Sequence, residues 1–208
     1  MADTRQRLLD GAIETLRTHG IAGASARTIA ATAGVSQGLV FYHFGSVGDL
    51  LQAAALDATR ARVATFADRF ATVDDLRKLL ALGRELHTEE SARGNVTVLA
   101  QMLAGAQADP SLAQATAAAL DLWIGPIEET LTRLLAASPI AELIDTPGLA
   151  RAVSAAFIGL ELYEGVDPAG ARAALDALDR LAVLLEVMDD LGPLARRALR
   201  AKLRRGGA

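Results

Sequence analysis

The residues able to do covalent chemistry in this 208-residue chain are few and poorly spaced for it. It has no cysteine, hence no disulfide, no thiolate nucleophile and no cysteine zinc site. Three histidines are too few for a His-rich metal centre. The acidic pairs Glu89-Glu90, Glu128-Glu129 and Asp189-Asp190 are chain neighbours. Adjacent side chains point in different directions on a helix, so these pairs read as solvated faces. No nucleophile–base pair and no phosphate loop is legible, so neither catalysis nor a metal nor a cofactor is expected. The chemistry that remains is recognition. Residues 28–48 contain no Asp, Glu, Lys or Arg, yet Ser36, Gln37, Gly38, Leu39, Phe41, Tyr42 and His43 crowd together there. Gln pairs with adenine edges, and aromatic or aliphatic carbon touches thymine methyls. Tyr, His, Ser and Thr bond phosphates.

The elements that must position these residues are helices. Alanine and leucine dominate, spacings of three and four recur, and alternation of period two is scarce. The fold class is therefore all-α. A first helix is expected from Thr4 to about Thr18, with Leu8, Leu9, Ala12, Ile13 and Leu16 on one face and Gly20 ending it. Ser25 caps a second, which Gly34 closes by a positive φ. Ser36 caps a third, which Gly45–Gly48 breaks. Two short helices joined by Gly34-Val35 have helix-turn-helix dimensions. Ile29, Ala30, Ala33, Val35, Val40 and Phe44 can close a small core with Leu9, Ala12 and Leu16. Ser36, Gln37, Leu39, Tyr42 and His43 are then left exposed, with Phe41 at their margin. Backbone N–H groups at the start of that helix favour an anion, and Gly38 lets a phosphate come close.

Longer helices follow near 49–70, 73–88, 92–107, 110–137, 147–164, 168–190 and 193–205. Thr146-Pro147 and Asp167-Pro168 read as N-cap plus first turn. Pro126 should kink or split the helix that contains it.

Twenty-one basic residues face 25 acidic ones, for a formal net charge of −4, and mean hydropathy is +0.27. A generally basic coat for nucleic acid is excluded. By region the charge is neutral over 1–60, −10 over 61–192 and +6 over 193–208. The basic end, Arg196 to Arg205, either touches DNA or lies against the acidic body. The N-terminus lacks the unbroken apolar stretch of a signal peptide, and the longest uncharged run is polar. A cytoplasmic protein with no membrane partner is expected.

The segment IAATAGVSQGLVFYHFGSVGDLL resembles the N-terminal domain of the tetracycline-repressor (TetR) family. Ile29-Ala30, Gly34-Val35-Ser36, Gly38, Phe41-Tyr42-His43-Phe44, Ser46 and Asp49-Leu50 fall into the family's register over about residues 4–55. The resemblance implies a homodimeric transcriptional regulator, most often a repressor on a palindromic operator of double-stranded DNA, released by a small-molecule effector. It implies a helix-turn-helix DNA-binding domain at 1–48. A helical effector-binding and dimerisation domain would take up 49–208, with 49–70 as connecting helix. DNA contacts carried over by position are Arg27, Thr28, Ser36, Gln37, Gly38, Leu39, Phe41, Tyr42 and His43. The family's basic residues after the aromatic run are replaced by Gly45 and Val47. Two phosphate anchors are thus missing, which keeps a second reading open: a helical small-molecule-binding module with weak or lost DNA binding.

For the effector, which the sequence does not identify, bulky residues on three helices and the connecting helix are candidates. They are Phe66, Leu99, Met102, Trp123, Ile127, Phe157 and Tyr163, and their alternative is plain core. Asn95, Gln101, His87 and Glu161 are the polar candidates, with His87 alternatively capping a helix end. The apolar faces of 147–164 (Val153, Ala156, Phe157, Leu160) and 168–190 (Leu175, Leu178, Leu181, Leu184, Leu185, Met188) suit a two-fold four-helix bundle.

Overall fold

The computed structural model describes residues 2–136, 138 and 144–189, with side-chain detail at all of these except 2, 179 and 181–189. Among the described residues the only regular secondary structure is helical. The helices are α1 (Ala2–Gly23), α2 (Ala26–Ala33), α3 (Gly38–Phe44), α4 (Val47–Thr72) and α5 (Leu76–Ala92). They continue with α6 (Asn95–Ala106), α7 (Pro110–Leu135), α8 (Thr146–Glu164) and α9 (Pro168–Asp189). The expected helix at 193–205, the basic end, and the side chains of Leu181, Leu184, Leu185 and Met188 lie outside the described residues.

Two compact units are present. The first comprises Met1–Phe66 and Thr88–Trp123, the second Ala67–His87 and the described residues of Ile124–Ala208. Helices α4, α5 and α7 each supply residues to both.

The first unit is built on the apolar stripe of α1. Leu8, Leu9, Ala12 and Leu16 are buried against Ile29, Ala30 and Ala33 of α2 and Val40 of α3, with Val35 and Phe44 half-buried beside them. A Cβ at Gly11 would lie 2.9 Å from the Cβ of Ala33, so α1 and α2 meet at a distance only glycine permits. Leu50, Leu51, Ala54 and Ala55 of α4, Val98 and Met102 of α6 and Leu112 of α7 join the same cluster. Burying each large aliphatic side chain here contributes about 1.5–3 kcal/mol. The core of this N-terminal three-helix head, α1–α3, thus extends well past its own three helices.

Several boundaries differ from expectation for local reasons. Gly20 does break α1, at φ 67 and ψ 180, but the helix resumes as far as Gly23. The Ile21 N–H freed at that break donates to Oε1 of Gln101 at 3.0 Å. Helix α3 starts at Gly38, with Gln37 rather than Ser36 in the N-cap place and no side-chain cap bond. Only two residues separate α3 from α4, because Ser46 caps α4 at once. Its Oγ accepts the Asp49 N–H at 3.0 Å, an N-cap bond, and donates to the Asp49 carboxylate at 2.6 Å. Pro126 lies inside α7, which runs through it unsplit. Asp145, not Thr146, takes the N-cap place of α8.

In the second unit, Leu131 and Leu135 of α7 are buried with Ala150 of α8, and Leu76, Leu79, Ile127 and Leu149 pack around them. Arg133 donates to the carbonyls of Phe70 and Val73, each at 2.9 Å, and so closes the C-terminal end of α4. Asp167 caps α9, its Oδ1 accepting the Gly170 N–H at 2.9 Å.

Candidate functional site

The turn before α3 is over-determined. Ser25, in extended backbone, accepts the Thr28 N–H at 3.1 Å and starts α2. Gly34 ends α2 in the left-handed region, at φ 65 and ψ 38. Val35 N–H reaches back to the Ala30 carbonyl at 2.9 Å and Gly34 N–H to Ala31 at 3.1 Å, a Schellman turn. The carbonyls left over, those of Ala33 and Gly34, both accept from Nη2 of Arg7 at 2.8 Å. A cation at the C-terminal end of α2 also faces the negative end of that helix. The partners of Arg7 lie 26 and 27 residues away, and no local pattern in the sequence marks them.

Helix α3 buries Val40 and presents Ser36, Gln37, Gly38, Phe41 and Tyr42 to solvent. Tyr42 is 73% exposed and Phe41 49%, the exposed large hydrophobic side chains of the head among the described residues. No atom lies within 4 Å of where a Gly38 Cβ would stand, so backbone here is open to close approach. Two expectations are corrected. Leu39 packs partly against the head's core rather than standing free. His43 is half-buried, its ring 5.0 Å from that of Tyr42 at 82°. The helix turns 39 and 43 inward beside 40 and 44, as its 3.6-residue period requires. On α2, Arg27 is exposed and Thr28 half-buried, with its hydroxyl 2.7 Å from that of Ser25.

The two uncharged positions have structural occupations. Gly45 sits at φ 78, where its N–H bonds the Phe41 carbonyl at 2.9 Å. Val47 packs partly against the core. Arg5 lies beside the aromatic run, its guanidinium 5.1 Å from the centroid of Phe44.

The effector candidates fall into separate settings. In the first unit, Phe66 is fully buried, its ring 5.8 Å from Trp123 and beneath the guanidinium of Arg62 at 5.2 Å. Met102 belongs to the head's core, and Leu99 is half-buried. Asn95 donates to Glu90 Oε2 at 2.6 Å. In the second unit, Ile127 packs with Leu131, and Tyr163 is half exposed, its hydroxyl donating to Asp167 at 3.2 Å. Phe157 alone of the seven lines the cavity found there. That cavity measures about 20 Å³, room for roughly one water molecule. His87 Nδ1 lies 3.3 Å from Glu161, and its Nε2 contacts Glu164. His87 does not cap a helix end, since α5 continues to Ala92. Glu164 escaped sequence reading, although its spacing of three from Glu161 puts both on one helix face.

Among the described residues no helix is long and apolar enough to cross a membrane. No group of three or more His, Asp or Glu side chains among them could hold a metal ion.

Comparison with known proteins accounts for the head. Residues 8–54 match the family model described as bacterial regulatory proteins, tetR family. An uncharacterized HTH-type transcriptional regulator of Mycobacterium tuberculosis is 29% identical over 167 residues, 80% of this chain and 85% of that protein. The HTH-type nicotine-responsive transcriptional repressor of Paenarthrobacter nicotinovorans is 31% identical over 103 residues, half of this chain and 53% of that protein. Among solved structures, a transcriptional regulator from Streptomyces coelicolor A3(2) superposes with a TM-score of 0.67. It is 25% identical, and the alignment covers 86% of this chain and 98% of that one.

Proposed function

We propose that this chain, a TetR-family transcriptional regulator, is a ligand-responsive repressor that reads a palindromic operator as a homodimer. Residues 1–48 act as the DNA-binding head. Residues 49–208 bind a small-molecule effector and dimerise, the latter through α8 and α9. The observation that carries this reading is the open face of α3. Gln37, Phe41 and Tyr42 stand out from a helix whose inner face is locked into a core, behind a turn tied by Arg7. An exposed aromatic pair beside an amide has little use on a solvated surface, and suits thymine methyls, adenine edges and phosphates. Ser36, Gly38 and Arg27 stand with them; Leu39 and His43 reach DNA from the margin, and Thr28 from the start of α2. The chain has no enzymatic role in this reading and works in the cytoplasm. The nicotine-responsive transcriptional repressor among its relatives supports a repressor that responds to a small molecule. Effector binding favours a spacing of the two heads that no longer fits the operator, which requires unequal affinity for the two states.

A mobility-shift assay against the DNA flanking the chain's own coding region tests the reading. A retarded complex on a palindrome is expected at low and moderate salt. Failure to bind any palindrome there favours a helical ligand-binding module with weak or lost DNA affinity, the reading that Gly45 and Val47 support.

A further inference from the structure

The end of α3 is served by a cation that α3 does not carry. Helix α3 contains no Lys or Arg. Beyond it, Gly45 stands at φ 78, a conformation that side chains rarely adopt, and Val47 packs partly against the core. Arg5 reaches this place from the start of α1, its guanidinium 5.1 Å from the ring centroid of Phe44, the last residue of α3. The side chain of Arg5 is exposed. Among the described residues the Phe44 ring is its one partner, and no carboxylate or carbonyl holds it. Asp10 and Asp57 accept from Gln6 instead, and Asp49 from Ser46. Asp3 stands two positions before Arg5, a spacing that does not bring side chains together on a helix. The four arginines of residues 1–48 therefore divide into two kinds. Arg7 is committed to the carbonyls of Ala33 and Gly34, and Arg17 to Glu14 and Asn95. Arg5 and Arg27 are exposed and have no hydrogen-bonded partner among the described residues.

We propose that Arg5 is a phosphate anchor of the head, held by Phe44 at the end of α3 for a backbone phosphate of the duplex that α3 meets. The proposal rests on the reading of the head as DNA-binding and adds to it a contact from α1. Three features carry the assignment. A guanidinium with no counter-ion of its own gains most against a polyanion, where its binding releases a condensed cation. The ring contact engages its charge but no oxygen acceptor, so its N–H donors stay available in the planar fork that matches a phosphate. Resting on Phe44 also restricts a long side chain, so less freedom is lost when the phosphate arrives. Arg5 thus brings from α1 the charge that the backbone at Gly45 and the packing of Val47 deny to the end of α3. The contact is to the sugar–phosphate chain, so it strengthens binding to any duplex and selects no sequence.

The test is fluorescence anisotropy of the full chain on two labelled duplexes over a range of potassium chloride. One duplex carries a palindrome from the DNA flanking the chain's own coding region, and the other has an unrelated sequence. Arg5→Met keeps an apolar stem on Phe44 and removes the charge. It should lower the slope of log affinity against log salt by about 0.9 for each head, on both duplexes. At about 0.1 M salt that is a loss of roughly eightfold per head. Arg5→Lys keeps the charge and should keep the native slope. The slope counts displaced ions rather than folded molecules, so a small change in stability does not imitate the effect. The proposal is overturned if Arg5→Met retains the native slope, even with weakened binding, because Arg5 then only packs α1 on α3. It is also overturned if Arg5→Lys loses as much slope as Arg5→Met. Palindrome binding with a slope indifferent to Arg5 removes the anchor and leaves the regulator reading standing. Equal binding of both duplexes with a slope that depends on Arg5 removes the operator reading and supports the anchor. A chain that binds neither duplex at low salt overturns both.

Discussion

Arg62 grips one carboxylate oxygen of Glu90 with two N–H groups, Nε at 2.8 Å and Nη2 at 2.5 Å. Both side chains are largely buried, at 19% and 10% exposure, and the other oxygen of Glu90 accepts the Asn95 amide at 2.6 Å. The same guanidinium lies over Phe66. Breaking a buried pair strands the surviving charge, at a cost of about 3–5 kcal/mol. Arg62→Met should therefore lower stability by about 3 kcal/mol, read from the urea midpoint. A double-mutant cycle with Glu90→Gln should return a coupling above about 1 kcal/mol, which an exposed pair does not reach. A coupling near zero would show that the pair contributes no more than a surface contact.

Arg7→Met should loosen the turn between α2 and α3 without removing a phosphate contact. The two carbonyl acceptors at Ala33 and Gly34 lose their donor, at about 1 kcal/mol of head stability. Operator affinity should fall while the slope of log affinity against log salt stays unchanged. A shallower slope would place Arg7 on the phosphates instead.

Tyr42→Ala removes the most exposed aromatic of the head. Thermal stability should move by less than about 0.5 kcal/mol, as for an ordinary surface change. Operator affinity should drop by about 10- to 100-fold, the scale of one lost base contact. Unchanged binding in an anisotropy titration would remove α3 from the interface.

Few cations frame the reading face, so the salt dependence of the DNA complex should be shallow. Gly45→Lys probes this from the other side. Its positive φ of 78 is strained for any side chain, by roughly 1–2 kcal/mol. The variant should be less stable, yet each head should add roughly 0.9 to the magnitude of the salt slope. A native slope already as steep as that of a heavily basic reader would contradict the argument.

The carboxyl of Asp167 is held below the usual carboxylate range, first by the Gly170 backbone N–H and then by the Tyr163 hydroxyl. The same contact raises the Tyr163 hydroxyl above its ordinary value. A depressed carboxyl stabilises the fold above the unfolded-state value, and that contribution disappears as pH falls through the lower folded-state value. The start of α9 should thus lose stability below the usual carboxylate range, seen as an amide shift of Gly170 on acid titration. In Asp167→Asn that shift should vanish; its persistence would assign the titration to another group.

What the sequence by itself determined is what depends on neighbours in the chain. The helical class follows from spacings of three and four, and the apolar stripe Leu8, Leu9, Ala12 and Leu16 is buried as its period requires. Ser25 and Gly34 cap α2 because a hydroxyl and a missing Cβ act within one turn. The open face of α3 was legible for the same reason: Val40 points inward, so Gln37 and Tyr42 do not. The tertiary structure alone decided whatever joins distant residues. Arg7 serves a turn 26 residues away, Met102 packs into the head's core, and His87 sits between carboxylates more than 70 residues further along the chain. Spacing along one helix says which residues share a face, but not what that face meets. The polar partners of Arg7, Gln101 and His87 come from other helices, and only the packing of those helices could supply them.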